Sequence, residues 1–144
     1  MKNRVIMLIS ILTGILVVQA TLILASQNSI PNYYYFSQEN RSLPGDISVR
    51  FKNGIDITQK TAGAETWTSY PNSDASVTAT FYWEDTETGL QGTYYRTQGG
   101  PGAVEVYGAS LVNTSRIYFK VISSHLAGYG GVITTYPDLQ TTVP

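Results

Sequence analysis

The chain has 144 residues, 42% of them hydrophobic and 13% charged, with nine basic and ten acidic side chains and a formal net charge of −1. That is enough for one ordinary domain with its own core, and the charge excludes binding to nucleic acid or anionic membrane by bulk electrostatics. It contains no cysteine, which excludes disulfides and thiolate metal sites, so the fold must be held by packing alone.

Lys2 and Arg4 precede an apolar run from Val5 to Ala25 that Ser10, Thr13, Gly14, Gln19 and Thr21 interrupt but no charge does. A basic start before an apolar stretch is the pattern of a secretory signal, and Val18-Gln19-Ala20 has the small-residue spacing of a cleavage site, with Ala25 a second choice. An uncleaved anchor is the competing reading, since about 20 apolar residues cross a bilayer. Both export the remainder, so the expected location is secreted or cell-surface associated. The expected organisation is a signal peptide or anchor over 1–25, a β-domain over 26–136 and a polar, loose tail over 137–144.

Tyr33-Tyr34-Tyr35-Phe36 reads as an edge strand, or as an aromatic platform for sugars or headgroups. Ile47, Val49 and Phe51 alternate with polar residues, and Asn53-Gly54 before Ile55 and Ile57 signals a hairpin. A three-residue loop pairing Phe51 with Ile55 keeps one face apolar. Residues 59–65 read as a turn, and Thr66 to Tyr70 as a short strand carrying Trp67. The clearest strand runs from Ala75 to Trp83, with Ala75, Val77, Ala79, Phe81 and Trp83 on one parity and Ser76, Thr78, Thr80 and Tyr82 on the other. Trp67 and Trp83 are expected in the core.

Glu84, Asp85 and Glu87 form an acidic turn, a solvated loop rather than a glycosidase pair or a calcium loop. Leu90 to Thr97 returns as a strand. Gly99-Gly100-Pro101-Gly102 reads as a loop, and Ala103 to Val112 as a strand with Val104 and Val106 inward. In Arg116 to Ser123, Ile117, Phe119 and Val121 are expected inward and Tyr118 outward. Residues 125–131 read as a glycine-rich loop, and 132–136 as a last strand. Asn40-Arg41-Ser42 and Asn113-Thr114-Ser115 fit the glycosylation tripeptide. Seven or eight short strands spaced near ten residues give an all-β fold, a small antiparallel β-sandwich.

His125 is the single histidine and lies beside Ser123 and Ser124. No nucleophile elbow surrounds it, and one imidazole without thiols makes no histidine-rich metal site. No catalytic residue, metal or cofactor is therefore expected. The candidate binding residues are the tyrosines Tyr82, Tyr94, Tyr95, Tyr107 and Tyr118, with either Tyr94 or Tyr95 outward because adjacent residues take opposite faces. Such rings stack on sugars, and they suit ordinary cross-strand pairs as well.

Several short matches fall between Trp67 and Val121: Thr66-Trp67, Ser69-Tyr70, Ala75-Ser76-Val77, Thr88-Gly89-Leu90-Gln91-Gly92, Gly102-Ala103-Val104, Gly108-Ala109-Ser110 and Tyr118-Phe119. In these the section resembles the lactococcin-like family of secreted, unmodified bacteriocins. It departs from that family in lacking histidines after the Ser-Tyr match and in the extra segments 30–60 and 125–144. The resemblance implies a two-sheet β protein, exported and without an active site, that acts on neighbouring bacteria at the cell-wall precursor. The expected function is thus a non-enzymatic, exported binding protein, bacteriocin-like, whose partner is a cell-surface or cell-wall component. The alternative is a carbohydrate-binding or adhesive module using the tyrosines.

Overall fold

A computed structural model describes residues 35–144. The expected leader, and Tyr33 and Tyr34 of the aromatic run, lie outside the described residues. Eight strands follow in order among the described residues: β1 (Tyr35–Leu43), β2 (Ile47–Asp56), β3 (Thr61–Thr68), β4 (Asp74–Asp85), β5 (Gln91–Pro101), β6 (Ala103–Tyr107), β7 (Arg116–Tyr129) and β8 (Val132–Thr142). They form two four-stranded antiparallel sheets, β1-β2-β3-β6 and β5-β4-β7-β8. The expected small β-sandwich is the observed fold. β6 returns beside β3 and β7 beside β4, the non-sequential pairing of Greek-key sandwiches.

The Ala75–Phe81 parity holds. Ala75, Val77, Ala79 and Phe81 are buried against Ile55, Ala62, Ala64, Val104, Val106, Leu111, Tyr118 and Val121. A second cluster gathers Leu43, Ile47, Val49, Phe51, Ala127 and Leu139. Trp67 and Trp83 were expected with them but are only half-buried. Trp67 lies beneath the Arg50 guanidinium (5.3 Å), and Trp83 is sandwiched between the core and Arg116 (4.1 Å). Both indoles trade full burial for a cation on one face.

Asn53-Gly54 makes no hairpin. β2 runs straight through it, pairing with β1 on one side and β3 on the other. The alternation of Phe51 with Ile55 that suggested cross-strand partners instead makes them same-face neighbours along one strand. The turn lies upstream, where Gly45 (φ 79°) and Asp46 (φ 57°) take left-handed conformations between β1 and β2.

Three expected loops are strand. β3 already begins at Thr61. Gly99, Gly100 and Pro101 end β5, an edge strand where a missing N–H is tolerated. β7 continues through His125 to Tyr129, and only Gly130 (φ 58°) and Gly131 (φ 81°) turn, both positive as a two-residue hairpin requires. β8 in turn passes through Pro137 to Thr142 and buries Leu139 and Thr141, so residues 137–142 are sheet rather than loose tail. In the other direction, β6 stops at Tyr107 rather than Val112.

The largest departure is a β-bulge. The β4–β7 register passes from Tyr82↔Lys120 to Trp83↔Tyr118, leaving Phe119 as the extra residue. Parity reverses there. Tyr118 turns in, 1% exposed, and donates its hydroxyl to Ala109 O (2.6 Å), while Phe119 turns out against Tyr82. Gly108 lies against that hydroxyl, and a Cβ there would sit 2.3 Å from it. Because Tyr118 is held by the core, it has little room to yield. Gly108→Ala is expected to destabilise the fold by about 1–3 kcal/mol, read as a lower midpoint in urea unfolding.

Candidate functional site

Between the two apolar clusters runs a band of polar side chains. On β2, Asn53 sits between Phe51 and Ile55; on β7, Ser123 and His125 sit between Val121 and Ala127. All are buried: Asn53 is fully enclosed, Ser123 is 1% exposed and His125 3%. Asn53 Nδ2 donates to Ser123 Oγ (2.7 Å) and to Leu139 O (2.6 Å), and Thr141 donates to Asn53 Oδ1 (2.6 Å). His125 Nε2 lies 2.7 Å from Ser123 Oγ, and its Nδ1 lies 2.9 Å from Thr66 Oγ1. Thr66 in turn donates to Ser76 O (2.7 Å). The Phe51 ring stacks on the imidazole at 5.2 Å.

The proton positions follow from the partners. Thr66 spends its hydroxyl hydrogen on Ser76 O, so it accepts from His125 Nδ1–H. Nε2 is then the lone-pair nitrogen and accepts from Ser123, whose oxygen accepts from Asn53. The chain closes with a neutral imidazole and a partner for each of these side chains. Burial pushes the His125 pKa down to about 4, against the opposing effect of the Glu65 carbonyl.

A serine hydrogen-bonded to a histidine is the arrangement of a nucleophile and its base. The sequence reading ends the strand at Ser123 and places His125 in the glycine-rich loop beyond it. As i and i+2 residues of one strand they share a face, and the face is the interior. The serine lies on no accessible surface, and its lone pair is occupied by Asn53. Asn53, Thr66 and Thr141 were missed altogether. Their signal was present: each is a polar residue on the buried parity of its strand.

The five tyrosines do not form one surface. Tyr118 is interior, correcting its outward assignment. Tyr94 faces inward, half-buried between Trp83 (6.3 Å) and Tyr118 (6.4 Å), so of the adjacent pair it is Tyr95 that points out, 62% exposed. Tyr107 lies on β6 in the other sheet and donates to the Glu105 carboxylate; burial and that carboxylate both raise its pKa. Tyr82 and Tyr95 remain together on the outer face of β4 and β5. Tyr82 stands opposite Thr93, and Tyr95 opposite Thr80. Phe119, which the bulge turned outward, extends the aromatic strip beyond Tyr82 (6.3 Å), and Lys120 Nζ lies 5.5 Å from the Tyr82 ring centre. Hydroxyls surround the rings, with Thr78 and Thr97 bonded at 2.9 Å.

Of the expected acidic turn, Glu84 and Asp85 end β4 and are half-buried, and only Glu87 lies in the exposed turn. Asp85 Oδ1 accepts from the Glu87 and Thr88 N–H groups, and hydrogen bonds, chiefly from Ser115, hold its pKa low. Glu65 is buried although its parity faces away from the core; burial raises its pKa, and Arg50 at 3.2 Å opposes that rise. Among the described residues no three His, Cys, Asp or Glu side chains are grouped to hold a metal.

Two predictions come from the buried chain. Between the ordinary histidine pKa of 6.5 and about 4, the unfolded chain binds a proton that the folded one refuses. Stability is therefore expected to fall as pH drops through that window, by about 3 kcal/mol in total. Chemical unfolding at a series of pH values measures it, and His125→Gln should abolish that component of the slope. Asn53→Ala removes the group that bonds to Ser123, Leu139 and Thr141, and is expected to cost about 3 kcal/mol at neutral pH.

Comparison of the chain with protein-family models, with curated proteins and with solved structures returns no match.

Proposed function

We propose that the chain is an exported, non-enzymatic β-sandwich that binds a saccharide-bearing component of a cell surface through the outer face of β4, β5 and β7. The observation that carries the reading is the strip of Tyr95, Tyr82 and Phe119 set among the hydroxyls of Thr78, Thr80, Thr93 and Thr97. Flat rings take the apolar faces of sugars, and hydroxyls exchange hydrogen bonds with their rims. Export is supported by the basic start and the uncharged apolar run from Val5 to Ala25. The absence of catalysis is supported by the enclosure of the Ser123–His125 pair, which has no path to a substrate.

Retention on insoluble cell-wall polysaccharide tests it. Tyr95→Ala and Tyr82→Ala are each expected to weaken retention about tenfold, the equivalent of one lost stacking contact. Tyr107→Ala, on the opposite sheet, serves as the control and should leave retention as it is. Undiminished retention of the Tyr82/Tyr95 double variant removes the saccharide reading.

The resemblance over Trp67 to Val121 favours a second reading, an unmodified bacteriocin-like protein acting at the cell-wall precursor. It requires a zone of growth inhibition around the purified exported protein. Inertness towards related strains counts against it.

A further inference from the structure

A sandwich of two open sheets has four edge strands, and each presents unpaired N–H and C=O groups to any other strand. Three of the four here are protected. β1 carries the Glu39–Arg41 ion pair (3.0 Å) and is tied to β8 by Ser37 Oγ donating to Gln140 O (2.6 Å). β8 has an irregular register, with Pro137 and Asp138 opposite Ser124. β6 is only five residues long. Of these devices β5 has only Pro101, at its last position, outside the stretch from Gln91 to Gly99. It is eleven residues long, pairs with β4 without a break from Gln91 to Pro101, and carries one charge, Arg96.

The direction of its free groups can be read from the ladder. Asp85 N–H donates to Leu90 O (2.8 Å). Hydrogen-bonded pairs of an antiparallel ladder recur every second residue, so Gly92, Tyr94, Arg96 and Gln98 bond to β4. The backbone groups of Gln91, Thr93, Tyr95, Thr97 and Gly99 therefore face the open edge. Arg96 Nη1 reaches back to the Tyr95 carbonyl (2.9 Å), as expected if that oxygen has no strand partner.

We infer that β5 is a homodimerisation edge, pairing antiparallel with β5 of a second copy about a twofold axis at Tyr95. The sequence of the strand selects both partner and register. Centred on Tyr95, Thr93 meets Thr97, Tyr94 meets Arg96, Gly92 meets Gln98, Gln91 meets Gly99, and Tyr95 meets itself. Threonine pairs, an aromatic pair and a ring beside a guanidinium are all favourable cross-strand neighbours. Centring one residue later sets Arg96 against Arg96, and one residue earlier shortens the paired segment. The result is one eight-stranded sheet, with the Tyr95 side chains of both copies at the middle of its outer face.

The absence of cysteine makes the test direct in the full-length chain. In the proposed pairing the two Tyr95 Cα atoms are about 5.5 Å apart, within disulfide reach. The Thr93 positions are about 13 Å apart, and so are the Thr97 positions, beyond it. Under mild oxidation Tyr95→Cys is expected to run as a disulfide-linked dimer. Thr93→Cys and Thr97→Cys should each stay uncrosslinked alone and crosslink when co-expressed. No dimer from Tyr95→Cys, equal crosslinking of all three single variants, or no crosslink from the co-expressed pair overturns the proposal. These outcomes are independent of any saccharide, so the dimer and the binding reading fail separately.

Discussion

The hydrogen bonds of Asn53 hold the interior in its arrangement. Asn53 belongs to one sheet, and its partners Ser123, Leu139 and Thr141 belong to the other. Thr66 repeats the bridge through His125 and Ser76. Apolar contact between two sheets is non-directional and tolerates sliding, whereas these bonds tolerate little. A shift of one sheet over the other by a residue leaves an amide, two hydroxyls and one nitrogen of the imidazole buried without partners. The polar band thus fixes which residues face each other, and the apolar clusters on either side supply the driving force. With no disulfide available, this is how the chain obtains a specific rather than merely compact core.

The same band sets this serine and histidine apart in geometry from a catalytic pair. Catalytic pairs leave the serine oxygen free to attack and place the histidine at a cleft. Here Asn53 takes the oxygen, Phe51 covers the ring, and Thr66 fixes the tautomer. Each contact that makes the group structurally sound removes a degree of freedom that chemistry needs. A neutral, enclosed imidazole also ties the fold to the charge state of one residue, which an uncharged side chain in its place would not do.

The sandwich was legible because strand parity is a local property. Ala75 to Phe81, Ile47 to Phe51 and the Val104–Val106 pair alternate without interruption, and their burial follows. The errors fall where parity is broken or where polar residues sit on the buried side. One extra residue at Phe119 inverted the assignment of Tyr118, because a bulge is set by how β4 and β7 meet, not by either strand alone. Glycine and proline at Gly99 to Pro101 and at Pro137 looked like loops because their chemistry permits loops; edge position made them tolerable in sheet. Asn53-Gly54 has the composition of a turn, and what keeps it extended is pairing with β1 and β3 on its two sides, with the Asn53 side chain bonded to the opposite sheet. Parity marks the members of the buried network, but which of them bond to each other is not local: they lie up to 88 residues apart.

Surface and interior are linked through that bulge. Turning Tyr118 inward fills the core beneath Phe81 and Tyr94, and turning Phe119 outward lengthens the aromatic strip beside Tyr82. The strip ends at Tyr95, on the one strand among the described residues whose edge is unguarded. An open edge ordinarily invites unlimited stacking, yet pairing about a twofold axis uses the same edge of both copies and leaves no second one like it. β1, β6 and β8 are each protected, so growth stops at two. Arg96 moderates even that step: its bond to the Tyr95 carbonyl has to be released before the ladder forms, and its new place is beside Tyr94 of the other copy. Association about this axis is accordingly reversible and closed, and it brings two copies of the aromatic strip into one plane without altering either core.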